Sequence, residues 1–193
     1  SAWQDAQGWH TQDEPSAPMA VFVGPEAAQL MLTHSHQFRI ACSRNNSYSG
    51  FRAPGTLFYS QDDAGWQERV LAHPYLAIAQ VRLALDAQTN PHIAYNGANG
   101  MGFRYAWRDP AGWHTTRLEG TPVSGQDRQS DLALDSEGRP HIGCVSTNWS
   151  LKYTVLRDGG WEHTVLDTKY ILELALALNG MGWPHFLVNE YDY

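Results

Sequence analysis

The chain has 193 residues, enough for one domain with a real hydrophobic core. Charged residues are only 17% and the formal net charge is -7, which argues against nucleic-acid binding through a basic surface. No apolar run reaches the roughly 18 residues that a membrane-spanning helix needs.

In chain order, the opening Ser1-Ala-Trp-Gln-Asp5 is not a signal peptide. The sequence leaves the compartment undecided, with a secreted or cell-surface location preferred. Ala2-Trp-Gln-Asp-Ala-Gln-Gly-Trp9 is the tail of a phrase that recurs three times in full. The full copies are Leu57-Phe-Tyr-Ser-Gln-Asp-Asp-Ala-Gly-Trp66, Phe103-Arg-Tyr-Ala-Trp-Arg-Asp-Pro-Ala-Gly-Trp113 and Leu151-Lys-Tyr-Thr-Val-Leu-Arg-Asp-Gly-Gly-Trp161. A second phrase precedes each full copy and occurs once more after the last: an apolar strand, a tight polar turn, then another apolar strand. It is clearest at Val81–Tyr95, at Leu132–Cys144 and at Leu176–Val188, and worn at Leu30–Cys42.

Each repeat therefore supplies four short strands. A is Leu-x-Leu, B is Pro-His-Ile, C is Leu-x-Tyr, and D starts at Gly-Trp. Period-2 patterning with Gly, Pro, Asn and Asp turns marks strands throughout. The stretch from Pro25 to Leu32 is the nearest candidate for a helix, but Leu30 and Leu32 align with strand A and predict a strand. Four-stranded units recurring about every 48 residues are the signature of an all-β propeller, whose blades cover faces that no blade can bury alone. Phase matters too. The chain begins inside strand C and ends just after strand B, so residues 174–188 and 2–14 complement each other.

The prediction is a single domain of four four-stranded blades over 1–193: residues 28–70, 81–118, 130–167, and 174–193 together with 1–14. The ring closes where the N-terminal strands (2–14) pair with the C-terminal ones (174–188). The alternatives are a larger ring shared between two chains and a fragment of a longer propeller, so monomer and homodimer both stay open. Cys42 and Cys144 fall at the same repeat position in non-adjacent units, too far apart for a disulfide, which predicts two free, buried thiols.

The repeat pattern, Leu-Ala-Leu-Asp-x-x-Gly-x-Pro-His-Ile-x-Tyr with Leu-x-Tyr-Ala and Gly-Trp, resembles bacterial propeller repeats distantly related to Asp-box (sialidase-type) repeats. The resemblance covers nearly the whole chain. It implies a propeller whose architectural relatives include lectins, glycan-cleaving hydrolases and polysaccharide lyases. The Asp-box consensus Ser-x-Asp-x-Gly-x-Thr-Trp is not matched, so no catalytic residue carries over.

In a propeller the A–B and C–D turns share one end and the B–C and D–A loops share the other. The recurring features of the first end are expected to be structural. His92, His141 and His185 are read as interblade histidines bonded to backbone or Asp, Asp86 and Asp135 as turn-closing residues, and Trp9, Trp66, Trp113 and Trp161 as packing residues. The other end is idiosyncratic. Its loops carry Arg44, Asn45, Asn46, Tyr48, Asn96, Asn99, Arg128, Asn148, Trp149 and Tyr170 as the candidate ligand-binding set. Amide and guanidinium groups suit sugar hydroxyls, aromatic faces suit the apolar faces of sugar rings, and binding residues gather on loops held by a rigid scaffold.

His34-x-His36 lacks a third ligand, so no metal site is predicted and no cofactor is implied. No nucleophile elbow, phosphate loop or Cys-x-x-Cys is present. The expected function is non-catalytic carbohydrate binding, with a glycan or another polar ligand as partner. The alternatives are a lyase using Arg44, Asn46, Tyr48 and His73, and a protein-interaction scaffold.

Overall fold

The computed structural model describes residues 2–5, 8–11, 28–33, 37–45, 55–61, 67–73, 78–97, 102–118, 129–146, 148–167 and 170–191. Among these, every regular element is a β-strand. Strands β1 (Ala2–Asp5) and β2 (Gly8–Thr11) form a hairpin. A first four-stranded sheet follows, from β3 (Ala28–Leu32), β4 (Phe38–Asn45), β5 (Gly55–Gln61) and β6 (Gln67–His73). The second comprises β7 (Ile78–Leu85), β8 (Pro91–Gly97), β9 (Phe103–Asp109) and β10 (Gly112–Arg117). The third comprises β11 (Ser130–Leu134), β12 (Pro140–Val145), β13 (Leu151–Arg157) and β14 (Gly160–Asp167). A last hairpin joins β15 (Ile171–Leu178) to β16 (Pro184–Glu190).

All neighbouring strands are antiparallel and in sequence order. Of the stretch weighed as a helix, Ala28–Leu32 is strand β3. No helix among the described residues is long and apolar enough to cross a membrane.

In the second and third sheets the turn between the first two strands is built by one aspartate. Asp86 Oδ1 accepts from the backbone N–H groups of Gln88 (2.9 Å) and Asn90 (2.7 Å). Asp135 does the same for Glu137 and Arg139, both at 2.9 Å. The fourth turn residue is left-handed: Gly138 and Gly182 both have φ 77. The second sheet places Thr89 there, at φ 63, where a β-branched side chain is sterically opposed.

Successive sheets pack face to face. One core joins Ala41, Leu57 and Tyr59 of the first sheet to Leu83, Ile93 and Tyr95 of the second. The next joins Ala94, Phe103 and Tyr105 to Leu132, Ile142 and Cys144. The last joins Val145 and Leu151 to Ile171, Leu174 and Phe186. The second and third sheets are therefore buried on both faces, and β12 is buried along its whole length. Cys144 is a free, fully buried thiol whose pKa burial pushes up to about 12. The Cys42 side chain and the His34/His36 pair lie outside the described residues.

Two contacts repeat from sheet to sheet. The first is aromatic. Trp113 meets Tyr59 of the preceding sheet edge to face at 5.4 Å, and Trp161 meets Tyr105 likewise at 5.3 Å. Among the described residues β15–β16 has no further strands, and Phe186 takes that role against Tyr153 at 5.9 Å. The second contact is polar. The first strand of each sheet is an edge strand with unpaired N–H groups, which need acceptors once buried. Gln29 Oε1 accepts from Leu83 N, and Asp131 Oδ2 accepts from Leu176 N at 2.8 Å.

The two ends of the row are open. Leu30 is 61% exposed, while Leu83, Leu132 and Leu176 at the same repeat position are 5%, 8% and 8% exposed against the preceding sheet. At the far end Leu187 is 76% exposed, while Ala94 at its position in the second sheet is fully buried. Among the described residues, no pairing of residues 2–5 and 8–11 with 174–188 is found. Among the described residues β1 pairs only with β2, and β15 only with β16. The described strands form separate small sheets and no sheet closes on itself.

Two substitutions test this packing. A Cβ on Gly143 would lie 2.5 Å from Phe186 Cε1 and 3.3 Å from Leu174 Cδ1. Gly143→Ala is expected to cost about 1–3 kcal/mol in denaturant unfolding. Thr89→Gly should stabilise by about 1 kcal/mol and raise Tm, because it removes the left-handed penalty at an exposed turn.

Candidate functional site

The recurring histidines are held within their own sheets rather than between sheets. His92 lies between Asp86 and Tyr105: Nε2 is 3.7 Å from Asp86 Oδ2, and Nδ1 bonds to Tyr105 Oη. His141 repeats the arrangement, with Nε2 3.3 Å from Asp135 Oδ2 and Nδ1 2.6 Å from Tyr153 Oη. The expected bond to Asp is made, and the Asp belongs to the histidine's own sheet. The histidine stands on the second strand, the Asp closes the turn before it, and the Tyr comes from the third strand of the same sheet. In β15–β16, which has no third strand, His185 is exposed and meets Asn179 Nδ2 at 3.3 Å.

Burial sets the electrostatics of these triads. Desolvation lowers the pKa of both His92 and His141, against the opposing pull of Asp86 and Asp135. Desolvation also raises Tyr105 and Tyr153, so both phenols stay protonated. At Asp135 burial pushes upward, but bonds donated by the Arg139 side chain, by the backbone N–H groups of Arg139 and Glu137, and by His141 outweigh it. Its carboxyl is held down to about 2. An Asp–His–Tyr chain repeated in consecutive sheets, with its carboxylate occupied by turn amides, is a structural clamp.

At the opposite end of the strands an aromatic cluster forms. The Trp149 and Tyr170 rings stack with centroids 4.0 Å apart and planes at 22°. Tyr191 meets Tyr170 edge to face at 6.3 Å and is itself 54% exposed. Three separate stretches of chain supply these rings, and backbone bonds tie them together. Ile171 N donates to Trp149 O at 3.0 Å, and Tyr191 N donates to Tyr170 O at 2.9 Å. The Trp149 turn closes through Ser146 N to Ser150 O and Trp149 N to Ser146 O, both 2.9 Å. Ser146 Oγ donates to Asn148 Oδ1, which leaves Asn148 exposed at the rim. Trp149 adopts φ 65, a conformation that costs a non-glycine residue about 1–3 kcal/mol. The surrounding bonds hold it there.

Of the ten predicted binding residues, this cluster unites Asn148, Trp149 and Tyr170. Trp149 and Tyr170 are half-buried rather than exposed, because each covers a face of the other. Asn96 is corrected. It lies inside β8, is 6% exposed, and its Oδ1 accepts from Gln80 N at 2.9 Å. The ladder of β7 and β8 shifts register between Ile78 and Gln80, and the Asn96 amide occupies the gap. Gln80 in turn reaches the third sheet, accepting from Ser130 Oγ at 2.6 Å and donating to Gln129 Oε1 at 3.2 Å. Arg44 and Asn45 belong to strand β4, paired with Thr56 and Gly55, and not to a loop. Asn46, Tyr48, Asn99 and Arg128 lie outside the described residues.

One surface aromatic escaped the sequence reading. Trp183, 65% exposed, stands in the β15–β16 turn at the position of Asn90 and Arg139. The signal was available: an indole interrupts a turn position that is polar in the other repeats.

No family model matches the chain, and no curated protein sequence matches it. Among solved structures it is similar to a fucose lectin from Kordia zhangzhouensis in complex with methyl-fucoside. The TM-score is 0.50 and the identity 17%, over 72% of this chain and 99% of that one. It is also similar to a protein of unknown function from Dyadobacter fermentans DSM 18053, with TM-score 0.52 and 10% identity over 75% of this chain. The chain spans 44% of that protein's length. At these identities the likeness is one of fold.

Acid titration tests the clamp. The folded pKa of Asp135 lies below its unfolded value, so its contribution is present above the unfolded pKa of about 4 and is lost as pH falls toward 2. The lowered histidines act earlier. Their neutral forms favour the fold, so stability declines as pH drops below about 6.5. Asp135→Asn should be less stable than wild type at pH 7 and lose less on acidification from pH 4 to 2, as read by chemical denaturation at each pH.

Proposed function

We propose that this chain is a β-propeller domain that binds carbohydrate without cleaving it, through the end of the sheets that carries Trp149, Tyr170 and Tyr191. The observation that carries this reading is the aromatic cluster itself. Three rings from separate segments are locked together by main-chain bonds, one of them on a strained turn. Backbone strain maintained at a surface aromatic is characteristic of ligand sites. Indole and phenol faces cover the C–H faces of sugars, and the Asn148 amide, with Asn46, Tyr48, Asn99 and Arg128 and the β4 residues Arg44 and Asn45, offers directional polar groups. The similar fold of a fucose lectin supports the same class of ligand.

The propeller reading rests on the row of face-packed sheets and on its unfinished ends. The hairpin β15–β16 corresponds to the first two strands of a blade, and β1–β2 corresponds by sequence to the last two. In the closed blade β1 pairs with the free edge of β16, and β2 follows as the fourth strand. The first sheet's exposed Leu30 then covers Leu187.

Methyl fucoside and a glycan array test the ligand class. Binding is expected, and Trp149→Ala should weaken it by about tenfold or more, as expected for loss of an aromatic contact of about 1.4 kcal/mol. Absence of binding to any saccharide, or cleavage of the bound glycan, contradicts the proposal.

A further inference from the structure

We infer that the cleft between the third sheet and the β15–β16 hairpin is a second saccharide site, specific for a neutral sugar, with Trp183 as its platform. The inference rests on the carbohydrate reading above but uses different residues. The cleft lies at the turn end of the sheets, separated from Trp149 by the length of β12, about 20 Å for six residues.

The repeat shows why Trp183 is out of place as a structural residue. In the second sheet the side chain at this position ties the turn shut: Asn90 Nδ2 donates to Asp86 Oδ2 at 2.8 Å. In the third sheet Arg139 Nε donates to Asp135 Oδ2 at 2.7 Å. In β15–β16 the aspartate is replaced by Asn179. Its Oδ1 still accepts from Met181 N and Trp183 N at 3.0 Å, so the turn keeps its backbone form. The indole contributes nothing to that closure and stands 65% exposed, beside Met181 at 79%. Single exposed apolar residues are ordinary, but these two face a cleft of about 500 Å³, the size of a small-ligand site.

The opposite wall of the cleft is polar. It carries Glu137, Arg139, His141 and Arg157. Glu137 Oε2 and Arg139 Nη1 are 3.1 Å apart, presenting an acceptor and a donor side by side, the pairing that adjacent sugar hydroxyls need. Both guanidinium groups already have carboxylate partners: Arg139 has Asp135 and Glu137, and Arg157 has Glu162 at 2.9 Å. An anionic sugar would have to compete with those carboxylates, so the cleft favours an uncharged one. The corresponding cleft between the first two sheets is smaller, about 230 Å³, and has no aromatic residue in its lining, with Asn90 where Trp183 stands here. The platform is therefore particular to this position.

Titration of the full chain with methyl fucoside, methyl galactoside and methyl glucuronide, followed by the indole N–H resonances in ¹H–¹⁵N spectra, tests the site. A neutral glycoside is expected to shift the Trp183 indole. Trp183→Ala, with Tm as the folding control, should remove that site, while Trp149→Ala leaves it. Glu137→Gln should weaken binding there about tenfold or more, a loss matching one charge-assisted bond. If saccharide shifts only the Trp149 indole and Trp183→Ala binds as wild type, the cleft is not a site and the carbohydrate reading stands. If no saccharide shifts any indole, both fall. If the glucuronide occupies the cleft more tightly than the neutral sugars, the neutral specificity is wrong.

Discussion

Each sheet in this protein depends on the next one to cover a face it cannot bury alone. A four-stranded sheet of this length has two apolar faces: β8 sends Ile93 and Tyr95 toward the first sheet and Ala94 toward the third. Two devices lock neighbours in register. An aromatic ring from one sheet stands on the tyrosine of the sheet before it, and a Gln or Asp side chain from one sheet caps the free edge N–H of the sheet after it. The aromatic contact is made at each of the three junctions, so every internal sheet is fastened on two sides and the end units on one. The exposed Leu30 and Leu187 follow from that rule and not from any peculiarity of their own sequences.

Repetition made the sheets legible. Leu-x-Leu, Pro-His-Ile, Leu-x-Tyr and Gly-Trp each became a strand because their alternation matches the pleat and their Gly, Asp and Asn residues supply the turns. The histidine was visible as a recurring residue, but not its partners, because the Asp and Tyr that clamp it are six and twelve to thirteen residues away, and only the strand register brings them together. Asn96 was misjudged for a related reason. From sequence an asparagine beside glycines reads as a loop, whereas the register shift at Gln80 draws it into the ladder as a substitute acceptor. Trp149 and Tyr170 were both singled out, yet their stacking depends on main-chain bonds linking three segments, which no spacing rule encodes. Trp183 lies in a turn whose form is kept in the other repeats, so its break with the pattern is a single side chain and not a change of loop length.

The two ends of the strands divide the labour. At one end, the tight aspartate turns of the second and third sheets are nearly identical and carry the clamp. At the other, longer connections differ in every sheet and hold the strained aromatic cluster. A scaffold whose rigidity is repeated in every unit leaves single positions free to diverge, and Trp149 and Trp183 are two such positions on opposite ends.

The proposed closure makes one strand decisive. In an open row, β16 has a bare edge, and the amide groups along it exchange with solvent freely. In the closed propeller, β1 covers that edge. Residue-resolved amide hydrogen exchange on the full chain distinguishes the two. The closed ring predicts protection along β16 comparable to that of β8 and β12. Alternate β16 amides exchanging at rates near those of an unprotected chain would contradict it.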